Sequence, residues 1–326
     1  MRRRARGCAG SASAQDATDL AKKRPDLLDE MRVRDKEASA RIGESPPRGG
    51  IPKHVANKLR GDPLTETTGA LLCTITPMTA SHRIDVTTDD GIAPCWIHSP
   101  SDEGKYPGVI MFPDAGSVRP AAQDMAEKLA EAGYVVILPN IFYRSGDYPP
   151  FDLSTVFTDP KERTRLGEIM KALDMASAMR DVVHYVRVLR EQPNIEGDRI
   201  GVCGYCFGGR LAFTAAGAHP KDVAAAACFH AGGLVTDAPE SPHLAADKIT
   251  ANLYFGVADN DGSFTPEHQG TLATALGKAH VDYTIELYKG AAHGFAMPDF
   301  PIYDKAADAR HWDRMFSLFK RSLPAG

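Results

Sequence analysis

The segment Gly204-Tyr205-Cys206-Phe207-Gly208-Gly209 carries the strongest chemical signal in the chain. It follows the apolar run Ile200-Gly201-Val202-Cys203 and opens a helical pattern. The order glycine, any residue, nucleophile, any residue, glycine marks a tight strand-to-helix elbow, here with cysteine where serine is commoner. Such a turn forces the nucleophile into strained backbone angles and leaves no room for side chains two residues before or after it. It lifts the Cys206 sulfur to the positive end of the following helix, where a thiolate is favoured. The backbone N–H of Phe207 then faces an oxyanion developing on a bound carbonyl. Cys203 and Cys206 also have the spacing of a dithiol redox pair. Against that reading, Cys203 falls inside the strand, and redox chemistry gives no reason for Gly208 and Gly209.

A cysteine nucleophile needs a base, and the base needs an orienting acid. In the elbow architecture these follow in the order nucleophile, acid, histidine, each on a loop after a strand. Asp259 lies just past the apolar run that ends at Val257, and Asp261 is a rival acid two residues on. His293 lies in Gly290-Ala291-Ala292-His293-Gly294-Phe295, past the last long strand pattern. We therefore expect Cys206, Asp259 and His293 to act together. His268, His280 and His311 fall in or beside helices. His230 ends a strand and reads as a packed structural histidine.

The elements needed to position these residues are legible. Arg83–Thr87 and Ala93–His98 read as strands joined by a turn at Asp89-Asp90-Gly91. Buried-type strands at Gly108–Phe112, Tyr134–Leu138, Arg199–Cys203, Val223–Phe229, Ala251–Val257 and Tyr283–Tyr288 alternate with helical patterns. The helices are expected at 120–132, 160–190, 207–219, from Thr265, and 306–323. This alternation predicts an α/β fold, a mostly parallel sheet with helices on both faces, and a site at the carboxyl ends of the strands. Residues 1–77 are polar and broken by Pro and Gly, and they read as a partly disordered extension to a domain spanning 78–326.

With the elbow, Asp259 and His293 in place, the chain resembles the dienelactone hydrolase family, an α/β-hydrolase fold. The likeness extends to Pro113-Asp114-Ala115-Gly116 and to Gly133-Tyr134 through Leu138-Pro139-Asn140-Ile141-Phe142-Tyr143-Arg144, and covers roughly residues 80–320. The resemblance implies hydrolysis of a small ester or lactone through a covalent acyl-enzyme, with no metal and no cofactor. It implies that Asp114 is an acid near the resting thiol, where the family archetype has the longer Glu, and that the N–H of Ala115 is a second oxyanion donor. It also implies arginines that hold a substrate carboxylate. Arg163 and Arg165 are candidates for one, while Met297 stands where the archetype has the other. That departure predicts a preference for less anionic substrates.

Composition sets the outer bounds. Apolar residues make up 43% and charged residues 25% of 326, with a formal net charge of −4. No global basic field favours nucleic acid or an anionic membrane, which leaves a small molecule as the expected partner. No apolar run approaches the roughly 18–20 residues of a membrane span. The six cysteines, in a chain long enough to need no staples, read as reduced thiols of a cytoplasmic protein. Besides a hydrolase, the fold also admits a catalytically silent binding protein.

Overall fold

The computed structural model describes residues 78–323. The expectation of an extension over residues 1–77 lies outside the described residues. Alternating side chains on either side of Asp89-Asp90 pair β1 (Thr79–Thr88) with β2 (Gly91–Pro100) as an antiparallel hairpin, Thr88 opposite Gly91. The chain then alternates: β3 (Tyr106–Phe112), α1 (Pro120–Glu131), β4 (Val135–Pro139), α2 (Pro160–Ala172), α3 (Met175–Arg190), β5 (Ile195–Tyr205), α4 (Phe207–Ala218), β6 (Val223–Phe229), β7 (Asn252–Ala258), α5 (Pro266–Lys278), β8 (Tyr283–Tyr288) and α6 (Lys305–Ser322).

One eight-stranded sheet results, in the order β1-β2-β4-β3-β5-β6-β7-β8. The β1–β2 and β2–β4 pairs are antiparallel, and the others are parallel. The α/β fold with a mostly parallel sheet is the one read from the alternation of elements. One expected helix differs. The pattern over 160–190 splits into α2 and α3, because Asp174 turns its side chain onto the N–H of Ser177 at 2.9 Å. An aspartate placed to cap a new helix competes with continuing the old one.

Helices cover both faces. Met179, Val182 and Leu189 of α3, Leu211 of α4 and Leu272 of α5 pack on one side with Ile110, Val202 and Phe255. Met125 and Leu129 of α1 and Trp312, Met315 and Phe319 of α6 pack on the other with Val109, Val136 and Phe229. Each large apolar side chain so buried contributes about 1.5–3 kcal/mol. Every residue of β6 (VAAAACF) is buried, as a strand covered on both faces requires.

Because β3 to β8 run in one direction, their carboxyl ends share one rim. The loop 113–119, Cys206, His230, Asp259 to Asp261 and His293 all lie there. Among the described residues no helix is long and apolar enough to cross a membrane.

Candidate active site

Cys206 sits between β5 and α4 with φ 55° and ψ −117°, a left-handed backbone that a non-glycine residue rarely adopts. The flanking glycines explain how the turn closes. A Cβ on Gly204 would lie 2.1 Å from the Gly208 carbonyl oxygen, and one on Gly208 would lie 2.3 Å from the carbonyl oxygens of Phe112 and Pro113. No side chain fits at either place. The second approach also sets the first turn of α4 against the loop that follows β3. The N–H of Cys206 is spent on the Phe229 carbonyl at 3.0 Å. Among the described residues the N–H groups of Phe207 and Ala115 have no hydrogen-bond acceptor. Both are thus free to donate.

His293 Nδ1 lies 2.7 Å from Asp261 Oδ2, and the ring interacts electrostatically with the Cys206 thiol. Ser263 donates to the other Asp261 oxygen through its N–H (2.8 Å) and its hydroxyl (2.6 Å). Burial alone would raise the Asp261 carboxyl, but the hydrogen bonds from His293 and Ser263 outweigh it and hold it down at about 2. Burial would lower His293, but its bond to Asp261, its interaction with Cys206 and the charges they carry push it up to about 10. The ring is therefore a strong base with its proton held in place.

Asp259 is not the partner of His293, which corrects the choice of acid made from the sequence. Its Oδ2 accepts from the Gly290 N–H at 2.8 Å, and its own N–H donates to the Ala291 carbonyl at 2.7 Å. At the strand end Asp259 still runs alongside the β8 exit and ties the acid loop to the histidine loop. Asn260 then adopts φ 54°. That turn brings Asp261 to His293. Asparagine tolerates the left-handed region, so Asn260-Asp261-Gly262 was the signal available in the sequence.

Asp114 also departs from its expected place. Instead of pairing with the thiol, its buried carboxylate takes a two-pronged bond from Arg119 (2.7 and 2.9 Å) and one from the Gly116 N–H (2.7 Å). Burial pushes this carboxyl up against the pull of Arg119. Aspartate is one methylene shorter than the glutamate of the archetype, and a guanidinium five residues on claims it.

The expected substrate-binding residues are not presented either. Met297 is 1% exposed and packs in the core with Phe295 and Tyr288, so it lines no surface a substrate could touch. Arg165 is engaged by Glu162 and the Pro149 carbonyl and stacks over Phe151. Arg163 is exposed on α2. Neither arginine bonds to Cys206, His293 or Asp261.

His230 does reach the cluster. Its buried ring lies 5.2 Å from that of His293, on a backbone with φ 38°. Burial lowers its basicity well below that of an ordinary histidine, so it backs His293 as a neutral ring. Cys203 is wholly buried in β5, and burial pushes its thiol up, away from the reactivity that a dithiol pair needs.

Residues 94–323 match the dienelactone hydrolase family. The chain belongs to that family. A Synechocystis protein provisionally named a carboxymethylenebutenolidase is 30% identical over 233 residues, covering 70% of this chain and 91% of its own. The carboxymethylenebutenolidase of Rhodococcus opacus is 29% identical over 240 residues, covering 71% of this chain and 87% of its own. Among solved structures, a dienelactone hydrolase-like promiscuous phosphotriesterase from metagenomic libraries superposes with a TM-score of 0.62 at 23% identity, covering 76% of this chain and 99% of that one. That last likeness speaks for the fold of this dienelactone hydrolase family member.

Proposed function

We propose that this member of the dienelactone hydrolase family hydrolyses a small ester or lactone through a Cys206-His293-Asp261 triad. The observation that carries the reading is the Asp261–His293 bond together with the interaction of that ring with Cys206, which sits on the strained elbow. Cys206 and His293 share one proton, which stays on the imidazole while the Cys206 sulfur attacks the carbonyl carbon as a thiolate. The N–H groups of Phe207 and Ala115 receive the oxyanion. As the tetrahedral adduct collapses, the alkoxide leaves with the proton from His293, and a thioester remains on Cys206. Water then gives a proton to His293 and attacks the thioester. The acid departs, and Cys206 and His293 again share the proton. Asp261 stays ionised throughout and steadies the imidazolium.

The cysteine must remain a reduced thiol for this chemistry, which fits a cytoplasmic setting. No step calls on a metal or cofactor. The test is mass spectrometry of the full-length protein quenched during turnover of an activated ester. An acyl group on Cys206, together with loss of turnover in Cys206→Ala, is the expected result. Turnover that survives in Cys206→Ala would reject the assignment.

A further inference from the structure

Resting on that reading, we propose that Arg119 is a positioning residue that ties the loop carrying the Ala115 N–H to the loop carrying His293. Its guanidinium makes bonds in two directions. Nη1 and Nη2 hold Asp114 at 2.7 and 2.9 Å, and Nη1 also reaches the Ser117 carbonyl at 3.2 Å. Nε and Nη2 hold Asp299 at 2.6 and 2.9 Å, across 180 residues of sequence. The Arg119 side chain is only 11% exposed, so these charge-assisted bonds are shielded from water. The same guanidinium lies over the Phe300 ring at 5.6 Å, and Phe300 packs on Gly294, next to His293.

The two loops differ in how else they are held. The histidine loop is fixed by Asp261 at His293 and by Asp259 at Gly290 and Ala291. The loop after β3 is folded by Asp114, through the Gly116 N–H and through the Ser117 N–H to the Asp114 carbonyl at 3.0 Å, and is otherwise held by the Ser117 hydroxyl donating to Asn140 at 3.2 Å and by Gly208 packed on its first residue. Asp114 in turn is held by Arg119. One guanidinium between two carboxylates leaves an excess negative charge and sets the carboxylates against each other. A bridge that served stability alone needs only one of them. The second acid makes sense as a tether: it registers the oxyanion-donor loop against the already anchored histidine loop.

Two rates of the full-length enzyme separate positioning from plain stability. Hydrolysis of a p-nitrophenyl ester needs the oxyanion donors, whereas alkylation of Cys206 by iodoacetamide forms no oxyanion. In Asp299→Asn and in Arg119→Lys, kcat should fall on the order of 10- to 100-fold, because small misplacement of a donor is costly. KM and the alkylation rate should stay within about twofold of the parent. If Arg119→Lys fails to fold, Asp299→Asn alone decides, since that acid is partly exposed and stays polar. Equal losses of hydrolysis and alkylation would overturn the tether, as would a lowered Tm with kcat unchanged. Activity surviving in Cys206→Ala would sink the nucleophile and the tether together. A dead Cys206→Ala with no split between the two rates would sink the tether alone.

Discussion

At the scale of single residues, Asp259 and Asp261 carry the same carboxylate two positions apart and do different work. Asp261 faces a ring nitrogen, whereas Asp259 faces two backbone groups. Asp261→Asn keeps the shape but loses the charge that favours the correct tautomer and the imidazolium. It should lower kcat/KM by about 10³- to 10⁴-fold. Asp259→Asn should cost less than about 10-fold in kcat/KM and show mainly in Tm. Steady-state kinetics on one activated ester compares the two, and a larger loss at Asp259 would reverse the assignment. His293 supplies a pH signature. Folding raises it from the ordinary 6.5 to about 10, so the stability it adds is fully present below 6.5 and is lost as pH rises through about 10. Asp261 runs the other way. It is held down at about 2, and its contribution is present above 3.8 and lost as pH falls toward about 2. The Tm gap between the parent and His293→Ala should therefore be wide at about pH 6 and close by about pH 10. Met297→Arg is expected to place a guanidinium in packed core and to cost more than about 3 kcal/mol in a denaturant titration. It should not create an anion clamp.

Among the elements, the elbow has the least freedom. Gly208→Ala puts a methyl group where two carbonyl oxygens already stand, and no rotamer relieves it. We expect a loss of at least about 3 kcal/mol, or insoluble protein, together with loss of turnover. Gly262→Ala is the control, because nothing lies within 4 Å of the added carbon. Its Tm should stay within about 2 °C of the parent. The elbow was readable in the sequence because local sterics dictate its residues. The strands were readable because burial on both faces demands unbroken apolar runs, as in Val223–Phe229. The side-chain partner of His293 was not read correctly because the strand end predicts where the loop starts, not how Asn260 turns it. Asp114 was misplaced for a related reason: its partner Arg119 and the second acid Asp299 meet only in three dimensions. Met297 looked like a site residue by its offset from His293, and only its burial in the folded core shows otherwise.

Across the whole molecule, everything the proposed chemistry uses falls within residues 78–323. A protein beginning at Met78 should keep its kcat/KM within about twofold and its Tm within about 3 °C of the full chain. Larger losses would mean that the preceding residues support the domain.

The division of labour along the sheet has a practical consequence. The proposed nucleophile, acid and base leave from β5, β7 and β8, whereas the long segment from Asn140 to Asp159, between β4 and α2, supplies none of them. Its Phe157 ring nevertheless meets Phe300 at 6.0 Å, beside the histidine loop. The exposed positions of this segment are thus the ones open to exchange. A laboratory seeking a new specificity should diversify its exposed positions, such as Ser154, Thr155, Phe157 and Thr158, keep the buried Phe151, Leu153 and Val156, and leave the strand exits untouched. A graft there changes what the enzyme grips without rebuilding how it cuts.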